Sequence, residues 1–170
     1  MKKILIVYIL LTGCANHQQT LQSDVYLTEI SDAKIGVVRF KDTANGLLVE
    51  AKLSNLPQGE HGFHVHENPD CASTTDHLGQ IQFAHKAGAH YDPYKTNKHL
   101  GPNGGGHLGD LPYLTVDADG TVNRKFYLKN IKAQDFKNRS IMIHAGGDNY
   151  KDTPLPQGGA GRRIACGIIK

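Results

Sequence analysis

Apolar and polar residues alternate along much of the chain in short stretches, separated by turns rich in Gly, Pro, Asn and Asp. Alternation with a period of two residues is typical of half-buried β-strands. The pattern predicts eight strands, at residues 25–30, 34–40, 47–53, 62–66, 113–116, 121–128, 140–144 and 163–169. The intervening stretches 67–112 and 145–161 show no sustained period, and no long amphipathic helix pattern is present. We therefore predict an all-β antiparallel sandwich or barrel with two long functional loops.

The first residues have the pattern of a targeting signal. Lys2 and Lys3 precede an apolar run over residues 4–11, which is too short to span a bilayer because a spanning helix needs roughly 20 residues. The sequence LTGC at residues 11–14 then resembles the bacterial lipoprotein signal, in which cleavage precedes a cysteine that receives a lipid. We predict lipidation of Cys14 and anchoring at a membrane. The alternative is an ordinary secretory signal with a chance cysteine.

These features divide the chain into three parts and predict export. The parts are a lipoprotein signal peptide (1–13), a lipid-anchored tether (14–23) and a globular domain (24–170). The expected location is the periplasm or cell envelope, and Ala15, in place of Asp, favours the outer membrane.

The charge of the chain is nearly balanced. There are 19 Lys and Arg against 16 Asp and Glu, so removal of the two signal lysines leaves +1, since 17 − 16 = 1. No basic run interleaves with aromatic residues, so nucleic acid is not expected as a partner. Any function of charge must therefore come from its local placement and not from the total.

Three cysteines occur, at positions 14, 71 and 166. If Cys14 carries a lipid, Cys71 and Cys166 can pair, and export brings them to an oxidising compartment in which a disulfide persists. Such a bridge would close a loop of about 95 residues and add up to roughly 4–5 kcal/mol of stability through chain entropy. The alternative is two free buried thiols.

The chain contains ten histidines, and their placement suggests metal binding. His64 and His66 alternate in a predicted strand, so both imidazoles lie on one face, roughly 6–7 Å apart at the backbone. An isolated pair of this kind is at least as often simply exposed to solvent. His144, at the end of another predicted strand, would add a third imidazole, and an all-imidazole site favours copper.

The first long loop holds a second group of candidate ligands, His90, His99, His107 and Asp110. Three imidazole nitrogens and one carboxylate oxygen satisfy a tetrahedral zinc site. A closed site with four ligands would also explain how a long loop stays ordered without an apolar core.

Five blocks of sequence resemble the signature blocks of bacterial Cu,Zn superoxide dismutases, in that family's order and across nearly all of the predicted domain. They are GFHVHE (62–67), AHYDP (89–93), GHLGDLP (106–112), IHAGGDN (143–149) and RIACG (163–167). The resemblance implies an eight-stranded antiparallel Greek-key barrel, an immunoglobulin-like sandwich with two long loops. It also implies one copper and one zinc ion per chain, and dismutation of superoxide to dioxygen and hydrogen peroxide.

The resemblance further implies a role for each candidate residue. The implied copper ligands are His64, His66, His90 and His144, and the implied zinc ligands are His90, His99, His107 and Asp110. His90 would bridge the two metals and deliver a proton, and Asp148 would link a copper-ligand ring to a zinc-ligand ring. Arg163 would attract superoxide to the copper, and Cys71 and Cys166 would form the family's disulfide.

The implied function is protection of the cell envelope from oxidative damage. The expected partners are superoxide as substrate and a membrane, through the lipid on Cys14; a homodimer stays open, because the family includes monomers and dimers. The alternative is a non-catalytic copper- and zinc-binding lipoprotein of the same fold. Such a protein would be expected to lose a copper ligand or the arginine, whereas every one of these positions is filled here.

The remaining candidates have simpler interpretations. His61 is expected to have a structural role, and His77 and His85 are expected to be solvated. Arg162 precedes Arg163, and only one of two adjacent strand residues can face the copper. The position relative to the second cysteine of the predicted bridge favours Arg163.

Overall fold

The computed structural model of the protein describes residues 19–30 and 33–170. The predicted signal peptide (1–13) and the predicted lipidation site, Cys14, lie outside the described residues. In the part of the chain that is described, no helix has the length and apolar character needed to cross a membrane.

Short strands make up most of the regular structure. They are β1 (Thr20–Leu27), β2 (Lys34–Thr43), β3 (Gly46–Leu53), β4 (Gly59–His61), β5 (Phe63–His66), β6 (Thr74–Thr75), β7 (Ile81–Gln82), β8 (Leu114–Val116), β9 (Val122–Leu128), β10 (Ser140–His144) and β11 (Arg163–Ile168), with one short helix, α1 (Ala133–Phe136). Seven strands form one antiparallel sheet in the order β5-β10-β11-β1-β2-β3-β9, and β4 pairs with β8. The prediction of an all-β antiparallel fold is confirmed.

The alternating sequence pattern decides which face of each strand is buried. In β3, Leu47, Val49, Ala51 and Leu53 are buried and the residues between them are not. These side chains share the inner face of the sheet with Phe40 of the neighbouring strand β2. A strand whose apolar residues recur at every second position can bury them only on one side, and the sheet curls around that side.

One hydrophobic core results, extending from Leu21 to Ile169 along the chain. Both cysteines of the predicted bridge and all the candidate metal ligands fall within this span. The sequence pattern did not predict α1, whose single turn is too short for a helical period. Phe136 of α1 packs edge-on against Phe40, with ring centroids 5.8 Å apart.

The structure corrects the predicted extent of the tether (14–23). Residues 20–23 belong to β1, because Thr20 pairs with Lys41 and the side chains of Leu21 and Ser23 are buried. The same strand ends at residue 27 and not at residue 30. The polar residues of β1 lie mainly on its outer face, which is why the segment resembled a tether.

The first long loop (67–112) is partly ordered by local structure. The strands β6 and β7 form a small hairpin within it, which the sequence did not predict. A disulfide joins Cys71 to Cys166 in β11, which confirms the predicted pair. Ala84 and Ala87 pack beside this bridge in a small second apolar cluster.

Candidate metal centre

The candidate ligands meet along one edge of the seven-stranded sheet. The strand β5 lies at one edge of the sheet, so its outer side is free to pair with the first long loop. Both the N–H and the C=O of Val65 bond to the loop backbone at 2.9 Å. Isolated bridges place Asp110 beside His64 and His90 beside His66. The edge of the sheet thereby brings loop ligands and strand ligands together.

His64, His66, His90 and His144 form what we call the four-histidine cluster. One ring nitrogen from each lies within 4.8 Å of those from the other three. His64 and His66 lie on one face of β5, as predicted, but the long loop covers both, so they are buried and not solvated. The two Nε2 atoms of His66 and His144 are 3.4 Å apart.

Hydrogen bonds on the far side of the rings decide which nitrogen faces the cluster. The Nδ1–H of His66 donates to the carbonyl of Gly88 at 2.9 Å, and the Nδ1–H of His144 donates to the carbonyl of Gly161 at 2.8 Å. A carbonyl oxygen only accepts, so Nδ1 carries the hydrogen and Nε2 presents a lone pair. A ring that binds a metal through Nε2 needs this tautomer, because its Nε2 must carry no hydrogen.

His90, His99, His107 and Asp110 form the carboxylate cluster. Their three Nδ1 atoms lie 3.0, 3.0 and 3.3 Å from Oδ1 of Asp110. The side chain of His107 is 11% exposed and the others are 0–1% exposed. Three ring nitrogens around one carboxylate oxygen are the ligand set of a tetrahedral zinc site.

His90 belongs to both clusters. Its Nδ1 contacts Asp110, and its Nε2 is buried with no hydrogen-bond partner, as are Nδ1 of His64 and Nδ1 of His99. The Nδ1 atom of His99 lies near Asp110 but without the alignment of a hydrogen bond. Buried polar atoms are normally paired, and unpaired imidazole lone pairs in such sets are typical of metal ligands. The donor atoms therefore fit copper in the four-histidine cluster and zinc in the carboxylate cluster.

Asp148 connects the two clusters from behind. Its Oδ2 accepts the Nε2–H of His64 at 2.7 Å, and its Oδ1 accepts the Nε2–H of His99 at 2.8 Å. Both rings thereby direct Nδ1 towards their clusters. The backbone N–H of Tyr150 also donates to Oδ1 at 2.8 Å, which holds the carboxylate in place.

Burial and charge shift the pKa values of these rings in opposite directions. Burial lowers the pKa of His64 and His66 well below its usual value, and it lowers the pKa of His144 to about 4. Burial also disfavours the charged form of His99, but the neighbouring carboxylates of Asp110 and Asp148 outweigh this and raise its pKa to about 9. The rings of the four-histidine cluster are therefore neutral near pH 7, ready to bind metal.

Arg163, half-buried at the start of β11, is fixed by two backbone carbonyls. Its Nη1 donates to Ala84 and its Nη2 to Gly88, each at 2.6 Å. The Gly88 carbonyl also accepts from His66, so the guanidinium lies beside the four-histidine cluster. Arg162 is exposed and bonds to Glu29 on the other side of the strand. Of the two arginines, Arg163 is the one beside the cluster, as the sequence favoured.

The other histidines of the described residues are placed as predicted. His61 is buried between the carbonyls of His144 (2.7 Å) and Pro57 (2.8 Å), a structural position. His77 and His85 are exposed. Sequence reasoning missed the carbonyl acceptors that orient the cluster rings, and because they are backbone atoms, no residue type could have signalled them.

The chain matches the family model described as "Copper/zinc superoxide dismutase (SODC)" over residues 34–169. It is 47% identical over 138 residues to a Cu-Zn superoxide dismutase of Brucella abortus, which covers 81% of this chain and 79% of that protein. The solved structure of the Cu/Zn superoxide dismutase from Brucella abortus is similar, with a TM-score of 0.83 and 42% identity over 89% of this chain and 100% of that one. The monomeric copper, zinc superoxide dismutase from Salmonella enterica has a TM-score of 0.77 and 42% identity, over the same shares of the two chains.

These similarities agree with the fold and with the two clusters. The curled antiparallel sheet is that of the superoxide dismutase Greek-key barrel, so the predicted fold is confirmed. The expected copper and zinc sites, bridged by His90, are present in the described residues. The chain belongs to the bacterial copper/zinc superoxide dismutase family.

Proposed function

We propose that this protein converts superoxide to dioxygen and hydrogen peroxide in the bacterial cell envelope and thereby protects the envelope from oxidative damage. The observation that carries the proposal is the sharing of His90 between the two clusters. A storage site needs no such bridge, whereas a redox site gains from a ligand that a second, redox-silent metal holds in position.

The chain's residues prepare the reaction, and copper supplies one-electron chemistry when bound, by cycling between Cu(II) and Cu(I). Arg163 is the proposed guide for the substrate. Its guanidinium is held by two carbonyls, so the positive charge stays beside the four-histidine cluster and attracts a small anion. The same two bonds restrict it to one orientation, which favours a defined approach.

His90 is the proposed carrier of a proton. Its Nε2 faces the four-histidine cluster, and its Nδ1 stays at the carboxylate cluster, which keeps the ring from turning away. A proton held at Nε2 would pass to the departing peroxide, and the ring would then regain its lone pair. Asp148 is a positioning residue in this scheme, because it fixes the rings of His64 and His99.

We further propose that the mature protein is anchored by a lipid on Cys14, in the outer membrane. The LTGC sequence supports this, and the disulfide is of a kind that persists in oxidising compartments. Whether the anchored chains form a homodimer stays a prediction, which analytical ultracentrifugation of the protein without its lipid tests. The Salmonella enterica relative is described as monomeric.

The test of the activity is superoxide dismutation by protein that begins at Ala15, loaded with copper and zinc, beside a His144→Ala variant. We expect rapid turnover in the unchanged protein and loss of turnover in the variant, with zinc and fold retained. Full metal content without turnover in the unchanged protein would favour the alternative, a non-catalytic metal-binding protein of the same fold.

A further inference from the structure

The barrel has a basic end, at the point where the chain enters the fold. Five exposed lysines surround it, and we call them the lysine end: Lys41, Lys129, Lys132, Lys137 and Lys170. Their grouping was not apparent from the sequence, because they come from three separate parts of the chain. The nearly balanced total charge also conceals it.

Backbone pairing shows that these lysines share one end. Thr20, the first residue of β1, pairs with Lys41. The N–H of Lys170 donates to Gln22, two residues further along β1, at 3.0 Å. The side chain of the first described residue donates to Gln134 of α1, also at 3.0 Å, and α1 separates Lys132 from Lys137.

Acidic residues at this end are fewer than the lysines. Asp42 and Asp135 lie among them, each accepting a backbone N–H at 2.9 and 2.8 Å, which leaves a surplus of three positive side-chain charges, since 5 − 2 = 3. Four further exposed acids lie towards the opposite end of the barrel, after β1, in β4 and before β9. They are Glu29, Glu60, Asp117 and Asp119. The lysine end is therefore a local concentration of positive charge where the described chain begins.

We propose that the lysine end contacts anionic phospholipid headgroups of the membrane to which the protein is anchored. This inference rests on the proposed lipid at Cys14. Four residues lie between that cysteine and Gln19, so their Cα atoms are five steps apart and at most about 18 Å from each other. The lysine end is thus held close to the bilayer surface, where each basic residue adds attraction to anionic lipid. A lipid together with a basic surface anchors more stably than either alone.

The contact would also orient the enzyme. Arg163 begins β11 and Lys170 lies two residues beyond its end, so the two are seven residues apart, about 23 Å of extended chain. With the lysine end against the membrane, Arg163 lies away from the bilayer. The approach of superoxide to the four-histidine cluster then stays open to solvent.

The experiment measures cosedimentation with lipid vesicles of the protein that begins at Ala15, which has the complete core but no lipid. We expect it to bind vesicles containing phosphatidylglycerol at low salt, and to be released at about 0.5 M NaCl, where charges are screened within a few ångströms. We expect no binding to phosphatidylcholine vesicles. A triple variant, Lys129→Glu, Lys132→Glu and Lys137→Glu, should bind at least roughly tenfold more weakly.

The matched control makes the same change of net charge at exposed lysines elsewhere: Lys52→Glu, Lys86→Glu and Lys151→Glu. Retention of binding by the control and loss by the lysine-end variant supports the proposal. Equal loss in both, equal binding to neutral vesicles, or no binding at low salt overturns it. Mass spectrometry of Cys14 tests the lipid anchor, and the dismutation assay tests the enzyme. Failure of either proposal is therefore distinguishable from failure of the lysine end to bind vesicles.

Discussion

At the scale of single residues, Gly158 controls how closely the second long loop approaches the metal centre. It has a φ of +73°, and a Cβ at this position would collide with Oδ1 of Asp148 and lie 2.8 Å from Nε2 of His99. We expect Gly158→Ala to break the bond between these two groups and to weaken zinc binding by roughly 10- to 100-fold, measured by competition with a chelator.

Gly105 provides the control for this substitution. Its φ is +77°, and nothing lies within 4 Å of an added Cβ. Gly105→Ala should cost only the strain of the backbone conformation, roughly 1 kcal/mol, and should leave zinc affinity unchanged. Equal zinc affinities of the two variants would contradict the role given to the close approach at Gly158.

Arg163 permits a test of substrate attraction. Arg163→Ala should lower kcat/KM by roughly tenfold or more and reduce its dependence on salt, because a fixed charge beside the cluster is lost. Arg162→Ala removes the same charge from the preceding residue, which is exposed and bonds to Glu29. Its effect should be no more than about twofold. Rapid-mixing kinetics at several ionic strengths separates the two, and similar losses would show that only total charge matters.

The depressed pKa of His144 predicts how the metal-free protein responds to acid. Because burial lowers its pKa from 6.5 to about 4, the unfolded chain binds a proton more readily between these values. Stability from this ring is therefore complete above pH 6.5 and is lost as the pH falls through about 4, a change on the order of 3 kcal/mol. His144→Gln should flatten the fall in urea-unfolding free energy over this range. If the unfolding free energy of the variant falls with pH as steeply as that of the unchanged protein, His144 is not the group responsible.

At the scale of single residues, the sequence predicted the candidate ligand side chains better than the groups that form hydrogen bonds with them. The alternation of His64 and His66 implied a shared face, and the loop residues fell at ligand spacing. The carbonyls of Gly88 and Gly161, which set the ring tautomers, left no trace in the sequence because any residue supplies a carbonyl. Burial of the two strand histidines also depended on the fold of the loop above them.

At the scale of elements, the disulfide joins the first long loop to β11. Replacing Cys71 and Cys166 by Ser should lower the free energy of unfolding by roughly 2–5 kcal/mol, since the bridge closes a 95-residue separation. It should also reduce kcat/KM, because the carbonyl of Ala84 on that loop holds Arg163. Denaturant unfolding and kinetics measure both effects. The protein with its own cysteines, after reduction of the disulfide, should have the same stability and kcat/KM as the variant. A difference would show that the serines themselves have an effect.

Elements with a clear period were predictable and those without one were not. The strand β3 follows its apolar alternation closely, whereas β10 is a short run of residues that are all buried. The start of β1 was missed because its polar residues resemble a linker, and its pairing with β2 is a tertiary property. The hairpin of β6 and β7 and the single turn of α1 are too short for any period to show.

At the scale of the whole molecule, the long loops are held by ligands, a disulfide and one sheet edge more than by apolar packing. The ligand residues come from β5, β10 and the first long loop, so metal binding links parts of the chain that are distant in sequence. Binding to the folded state alone adds stability according to the metal concentration and affinity. Folding and metal loading are therefore one coupled process in this protein.

The proposed position of the whole molecule in the cell depends on one side chain, Cys14. We expect Cys14→Ser to abolish lipidation, because serine has no thiol to accept the diacylglycerol, and to remove the protein from the outer-membrane fraction. Sucrose-gradient fractionation with immunodetection measures this, and mass spectrometry checks the modification. Dismutase activity per copper should be unchanged, since the core and every ligand lie at residues 21–169. A serine variant that stays in the membrane fraction in high salt would show that another segment anchors the chain.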